Sequence, residues 1–132
     1  MAFTPLTPNG SIESVLSSGN ELLMFVNIKK SFFEANPSSI YYRKTIFDCT
    51  RKYWKLNSKK VNKIAYVLGH VNGIVQCVIK PTRWEISKEP ETVGRFICFG
   101  EVLTDSPFLG KDITNIISIG QNPVNYYEAN IK

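Results

Sequence analysis

Two apolar runs joined by Asn72-Gly73 constrain the fold of this 132-residue chain more than any other feature. The runs are Ala65–Val71 and Ile74–Ile79. Asn and Gly both tolerate the positive φ angles of a type I′ turn, which is the tightest connection between antiparallel strands. The pattern therefore predicts a β-hairpin. Pro81 is expected to end its second strand.

Two further elements are predicted before the hairpin. Glu21–Ile28 reads ELLMFVNI, a near-continuous apolar run that is typical of a strand covered on both faces. Ser38 or Ser39 can cap a helix from about Ile40 to Tyr53, where the apolar residues recur at helical spacing. The first twenty residues are rich in Pro, Gly, Ser and Asn, which favours a loosely attached arm or a short capping turn.

The C-terminal half supplies the remaining strands. Arg95–Leu103 alternates, so that Phe96, Cys98 and Val102 are predicted on one side and Phe99 on the other. Residues 112–119 and 120–129 are expected to add one more strand or a docked tail.

Together these elements predict an α+β domain. Five or so short strands and one main helix suit a small, mixed, partly closed β-barrel with short helical turns at its rim. A chain of this length is expected to form one domain, since domains commonly have about 100–150 residues. We place that domain at residues 21–132, after an N-terminal arm of residues 1–20.

The cysteines and the apolar stretches indicate a cytoplasmic protein without a membrane partner. Cys49, Cys77 and Cys98 are odd in number and form no CxxC pair, so they are predicted to be buried free thiols in a reducing compartment. The N-terminus lacks the basic and apolar regions of a signal peptide. The longest apolar stretches are far shorter than the roughly 20 residues that a membrane span needs.

The positive charge of the chain is concentrated in one segment. Residues 43–63 carry eight Lys and Arg against one acid, Asp48, whereas the whole chain has 16 basic and 11 acidic residues. The segment is therefore +7 and the rest of the chain −2. Tyr42, Tyr53 and Trp54 lie among these cations, and such a combination suits a ligand with phosphates and bases. The structural alternative is a solvated amphipathic helix that keeps the protein soluble.

Catalytic patterns have little support. His70 is the only histidine of the chain and lies inside the predicted hairpin, and no GxSxG, HExxH or GxxxxGK[ST] motif occurs. The acids do not cluster as metal ligands, so neither a metal nor a cofactor is expected. The sequence favours a binding module over an enzyme.

Several segments together resemble a small uncharacterised family of the PUA-like superfamily, which includes the ASCH, EVE and YTH domains. The specific elements are Thr50-Arg51 with Trp54, the Asn72-Gly73 turn, Trp84, and Gln121-Asn122-Pro123. The resembling segments are residues 26–32, 40–79, 84, 95–102, 108–113 and 120–127.

This resemblance implies a compact, β-barrel-like sheet with helices at its rim. Many PUA-like domains bind RNA or DNA, and EVE and YTH members hold a modified base in an aromatic-walled pocket. Residue type and position make Phe99, Trp84 and Tyr126 the candidates for such a pocket in this chain.

The sequence thus predicts a module that binds RNA, DNA or a nucleotide. Cations would capture phosphates, indoles would stack on bases, and amides would read base edges. The candidate ligand-binding residues are Asn27, Lys30, Ser31, Arg51, Lys52, Trp54, Lys55, Lys59, Trp84, Phe99, Asn122 and Tyr126.

Two other hypotheses stay open. The first is a sequestering or regulatory protein that holds a small nucleotide signal or a host protein in the same basic pocket. The second, ranked last, is a small nuclease or base-modifying enzyme. The sequence also leaves the oligomeric state open, including a homo-oligomer.

Overall fold

The computed structural model describes residues 5–33, 38, 45–52, 54–56, 58–90, 92–118, 120 and 123–132. Strands dominate this part of the chain, and its helices are short. The elements in chain order are a 3-10 helix Ile12–Val15, β1 Leu16–Asn27, α1 Lys29–Phe33, α2 Ile46–Arg51, α3 Ser58–Val61, β2 Ile64–Val71, β3 Ile74–Ile86, β4 Phe96–Val102 and β5 Val124–Ile131.

The strands form one mixed sheet in the order β4-β3-β2-β1-β5. β1 and β2 are parallel, and the other neighbours are antiparallel. The α+β class and the mixed sheet are therefore as predicted. β4 and β5 lie at the two edges of the sheet rather than beside each other, so the sheet is open and not a closed barrel.

The hairpin prediction is confirmed. Asn72 and Gly73 have φ angles of 53° and 83°, and they join β2 to β3. The prediction that Pro81 ends the second strand is wrong, because β3 continues to Ile86. Pro81 lies at a register shift beyond Ile79, the last β3 residue paired with β2, so no hydrogen bond to β2 is lost there.

The other predicted boundaries shift. β1 begins at Leu16 rather than Glu21, and Ile12 of the preceding segment is fully buried. Of the predicted helix Ile40–Tyr53, the structure describes a helical stretch from Ile46 to Arg51, while residues 39–44 and 53 lie outside the described residues. Thr45 caps this stretch, since its Oγ1 accepts a hydrogen bond from the Asp48 N–H at 3.1 Å.

Each face of the sheet has its own core. We call the face under α1 and α2 the helix face; its core includes Met24, Val26, Val67, Ile79 and Cys98. The opposite face, which we call the arm face, packs against the N-terminal segment and residues 108–117. Its core includes Leu23, Phe25, Leu68, Val78, Phe108 and Ile113.

Because β1 and β2 are parallel neighbours, the chain between them must cross over the sheet. That crossover carries the basic residues. Its last part, residues 52–63, is named here the crossing segment; residues 53 and 57 are outside the described part. Trp54 exchanges two backbone hydrogen bonds with Phe96 on β4, at 3.1 and 2.8 Å. Six residues later, the Lys60 Nζ lies 4.5 Å from the ring centroid of Tyr126 on β5. The crossing segment therefore reaches from one edge strand to the other.

Candidate functional site

Arg51, at the end of α2, is held between two aromatic rings. Its guanidinium carbon lies 5.1 Å from the ring centroid of Phe47 and 5.3 Å from that of Phe99. Its Nε donates a hydrogen bond to Asp48 Oδ1 at 2.6 Å, and 16% of its side chain is exposed. Arg51 is thus a positioned cation that ties α2 to β4, with its charge balanced by the adjacent carboxylate.

A second arginine lies over the same Phe99 ring. Arg83 pairs with Phe99 across the β3–β4 ladder, and its guanidinium carbon is 4.0 Å from the ring centroid. Its Nη2 is 2.8 Å from Glu85 Oε2, and 54% of the Arg83 side chain is exposed. Phe47, Arg51, Phe99 and Arg83 are therefore linked by successive contacts between rings and guanidinium groups, and we call these four residues the guanidinium stack. The Arg83 end of the guanidinium stack is open to solvent.

Both indoles have structural partners. The Trp54 Nε1 donates to the Thr50 carbonyl at 2.8 Å, which satisfies an acceptor at the C-terminal end of α2. Trp84 packs edge-to-face against Phe96, with ring centroids 6.5 Å apart. Both side chains are half-buried against the helix-face core. Both tryptophans contact Phe96 of β4, and each is partly exposed to solvent.

Four of the five lysines of the crossing segment are exposed. Leu56 packs against the helix-face core and Val61 is 4% exposed, so the apolar residues of this segment point inward. Lys55, Lys59, Lys60 and Lys63 are exposed, whereas Lys52 is half-buried. The segment contains five lysines and no acid. It is therefore a run of one charge sign between the two edges of the sheet.

The predicted residues at the end of β1 are Asn27, Lys30 and Ser31. Asn27 Oδ1 accepts from the Lys29 N–H at 3.0 Å, and the buried Ser31 donates its hydroxyl to the Ile28 carbonyl at 3.3 Å. Lys30 is exposed on α1. Asn27 and Ser31 thus make local turn contacts. Asn122 falls outside the described residues.

Tyr126 is near the crossing segment rather than near the guanidinium stack. Its half-buried ring packs against the helix-face core and carries the Lys60 ammonium over it. Burial raises the pKa of the Tyr126 hydroxyl. The structure therefore brings Arg51, Trp54, Trp84 and Phe99 together at the β4 edge, and it places Tyr126 at the β5 edge.

Groups with catalytic potential lie in the interior. His70 is 1% exposed, and within the described part of the chain neither ring nitrogen has a hydrogen-bond partner. Burial lowers the pKa of this imidazole to about 4. Burial also raises the pKa of Cys77 to about 11 and that of Cys98 to about 12. In the described ranges, no group of three or more His, Cys, Asp or Glu residues is placed to hold a metal ion.

A cleft of about 370 Å³ lies elsewhere, on the arm face between β1 and β5. Glu13, Ser17, Tyr127 and Glu128 are among its lining residues. Two carboxylates make this cleft unfavourable for a phosphate.

Sequence reasoning missed two contributors to the site, Phe47 and Arg83. Phe47 falls on the apolar side of the predicted helix, where residue type alone favours packing in the core. Arg83 and Glu85 could have been found from strand periodicity, since residues two apart on a strand lie on the same side. The contact between Arg83 and the Phe99 ring depends on the β3–β4 register. That register could not be predicted, because the strand was expected to end at Pro81.

Among the described residues, no helix is long and apolar enough to cross a membrane. Comparison of the chain with models of known protein families, with curated proteins and with solved structures gave no match.

Proposed function

We propose that this protein binds nucleic acid, with the lysines of the crossing segment contacting successive phosphates. The observation that carries the proposal is the placement of five lysines and no acid on a segment that reaches from β4 to β5. Such a row presents a continuous positive strip rather than one isolated pocket. A polyanion fits a strip of this kind better than a single phosphate group does.

The charge balance of the rest of the chain supports this choice. Arg51 and Arg83 each pair with a carboxylate near them in the chain, Asp48 and Glu85, whereas the sequence of the crossing segment contains no acidic residue. The phosphate-binding role therefore belongs to the lysines, and Arg51 acts by fixing the end of α2 where the crossing segment begins. Residue type alone would favour Arg51 as the phosphate ligand, because a guanidinium group can bind a phosphate through two hydrogen bonds.

For the architecture, we propose an incomplete PUA-like barrel. The five-stranded mixed sheet and the crossing segment between its two edges support this assignment. In such a barrel, the crossing segment would occupy the gap that the open sheet leaves, and the lysines would face outward from that gap.

The proposal is tested by equilibrium binding of a fluorescein-labelled 12-nucleotide single strand, RNA and DNA in separate titrations. The variant Lys55→Gln, Lys59→Gln, Lys63→Gln removes three cations from the crossing segment. The matched control, Lys80→Gln, Lys88→Gln, Lys132→Gln, makes the same change of net charge at exposed lysines outside it.

The expected result is a loss of at least tenfold in affinity for the first variant and a change of less than threefold for the control. Equal losses in both variants would mean that net charge alone attracts the oligonucleotide. No binding by the unaltered protein at low salt would contradict the proposal.

A further inference from the structure

The guanidinium stack ends in a flat group that is open to water. The guanidinium carbon of Arg83 lies over the Phe99 ring, 4.0 Å from the ring centroid, and about half of the Arg83 side chain is exposed. Arg51 lies against the same ring at 5.3 Å and is itself packed on Phe47. The guanidinium stack is thus supported from within the fold, and Arg83 is its outermost member.

We propose that the outer face of Arg83 is a stacking position for an unpaired nucleobase. This inference rests on the proposed function and narrows it, because it specifies a single-stranded ligand. A guanidinium plane offers a nucleobase the same kind of stacking surface as an aromatic ring, with an added cation–π attraction.

The ion pair of Arg83 favours a base over a phosphate at this position. Glu85 Oε2 lies 2.8 Å from Arg83 Nη2, so a phosphate approaching that edge would meet a carboxylate. A base that stacks on the plane leaves this ion pair intact. The carboxylate also restrains the guanidinium, which reduces the entropy lost when a ring stacks on it.

The position of the stack suits a strand that is also held by the lysines. Arg51 belongs to the guanidinium stack and is followed directly by Lys52 and then Lys55. A nucleotide strand whose phosphates follow the crossing segment therefore begins or ends beside the β4 edge. A base turned away from that backbone meets Arg83. Bases inside a duplex have both faces covered and are not available for this contact.

The test compares two 12-nucleotide strands, one with ordinary bases and one in which the central four sites are abasic. Binding of each is measured with the unaltered protein and with Arg83→Lys, which keeps the charge and loses the plane. Arg95→Lys is the matched control, because Arg95 lies in the β3–β4 turn and is not a member of the guanidinium stack. A fully paired duplex is the third ligand.

We expect the unaltered protein to bind the ordinary strand about fivefold or more tightly than the abasic strand, in line with stacking on one base. Arg83→Lys is expected to abolish that difference, and Arg95→Lys to preserve it. The duplex is expected to bind more weakly than the ordinary strand. Circular dichroism of each variant checks that the fold is retained.

The outcomes separate the two proposals. Equal binding of the ordinary and abasic strands by the unaltered protein would overturn the stacking inference while the phosphate-binding function stands. Tight duplex binding that Arg83→Lys leaves unchanged would overturn it too. Failure to bind any of the three ligands would overturn both proposals.

Discussion

Thr50 of α2 lies directly over Gly69 of β2, so closely that a Cβ on Gly69 would overlap the Thr50 side chain. Thr50 is fully buried, and its hydroxyl donates to the Ile46 carbonyl at 3.0 Å. This contact sets how closely α2 approaches the sheet. It thereby positions the next residue, Arg51, beside Phe99, and it fixes the start of the crossing segment.

Gly69→Ala is expected to destabilise the protein by about 1–3 kcal/mol, because the added methyl group overpacks the contact with Thr50. The measurement is the free energy of unfolding from urea titration. Gly120→Ala is the control, since no atom of the described residues lies within 4 Å of a Cβ at Gly120. Equal stability of the two variants would show that α2 is not held at this point.

Arg51→Lys is expected to lower the free energy of unfolding by about 1–2 kcal/mol, because lysine keeps the charge but loses the planar contact with two rings. The Nε bond to Asp48 is lost as well. In the variant Arg51→Gln, which removes the charge, the salt dependence of oligonucleotide binding should equal that of the unaltered protein, since the phosphates are assigned to the lysines. A salt dependence that falls together with stability would instead make Arg51 a direct phosphate contact.

His70 makes stability depend on pH. Its folded-state pKa of about 4 is below the ordinary value of 6.5, so the neutral form is favoured in the folded protein. The stabilisation that the neutral His70 gives to the folded protein is fully present above pH 6.5. It is lost as the pH falls, because the unfolded chain then binds a proton that the folded chain excludes. Between pH 6.5 and 5 the expected loss is about 2 kcal/mol.

The control for this loss is His70→Leu, an apolar side chain for the arm-face core. Urea unfolding of both proteins at pH 7, 6.5, 6, 5.5 and 5 gives the comparison, in a range where most carboxylates remain ionised. The free energy of unfolding of His70→Leu should fall much less between pH 6.5 and 5 than that of the unaltered protein. If both proteins lose stability equally between pH 6.5 and 5, another group is responsible.

The three thiols should be unreactive in the folded protein. Cys49, Cys77 and Cys98 are at most 3% exposed, and burial raises the pKa of the last two to about 11 and about 12. Because the thiolate is the reacting form, a thiol reagent at pH 8 should label none of them within an hour without denaturant. Labelling of all three is expected in 6 M guanidinium chloride. Rapid labelling of the native protein would show that the helix-face core opens readily.

The sequence predicted correctly those elements whose conformation depends on neighbouring residues alone, namely the Asn72-Gly73 turn and the strand after Arg95. The positive φ angles of Asn72 and Gly73 follow from residue type, and the alternation after Arg95 follows from strand geometry. The extension of β3 past Pro81 was not predictable in this way. The extension is possible because Ile79 is the last β3 residue that pairs with β2, so Pro81 interrupts no hydrogen bond to that strand. This pairing is a property of the assembled sheet.

The candidate site shows the same division. The cation-rich segment could be predicted from charge counts, since residue type alone determines them. The Phe99 contacts of Arg51 and Arg83 could not, because they require the approach of α2 at Gly69 and the β3–β4 register together. Attachment of the N-terminal segment could not be predicted either, since it combines one buried apolar residue, Ile12, with backbone hydrogen bonds to Gly110 and Asp112.

The salt dependence of oligonucleotide binding tests the central claim most directly. Each neutralised phosphate of a single strand contributes about −0.7 to the slope of log affinity against log salt concentration. If the exposed lysines of the crossing segment contact phosphates, the slope of the variant Lys55→Gln, Lys59→Gln, Lys63→Gln should be shallower by about 2. The control Lys80→Gln, Lys88→Gln, Lys132→Gln should keep the slope of the unaltered protein. Identical slopes for all three proteins would contradict the account.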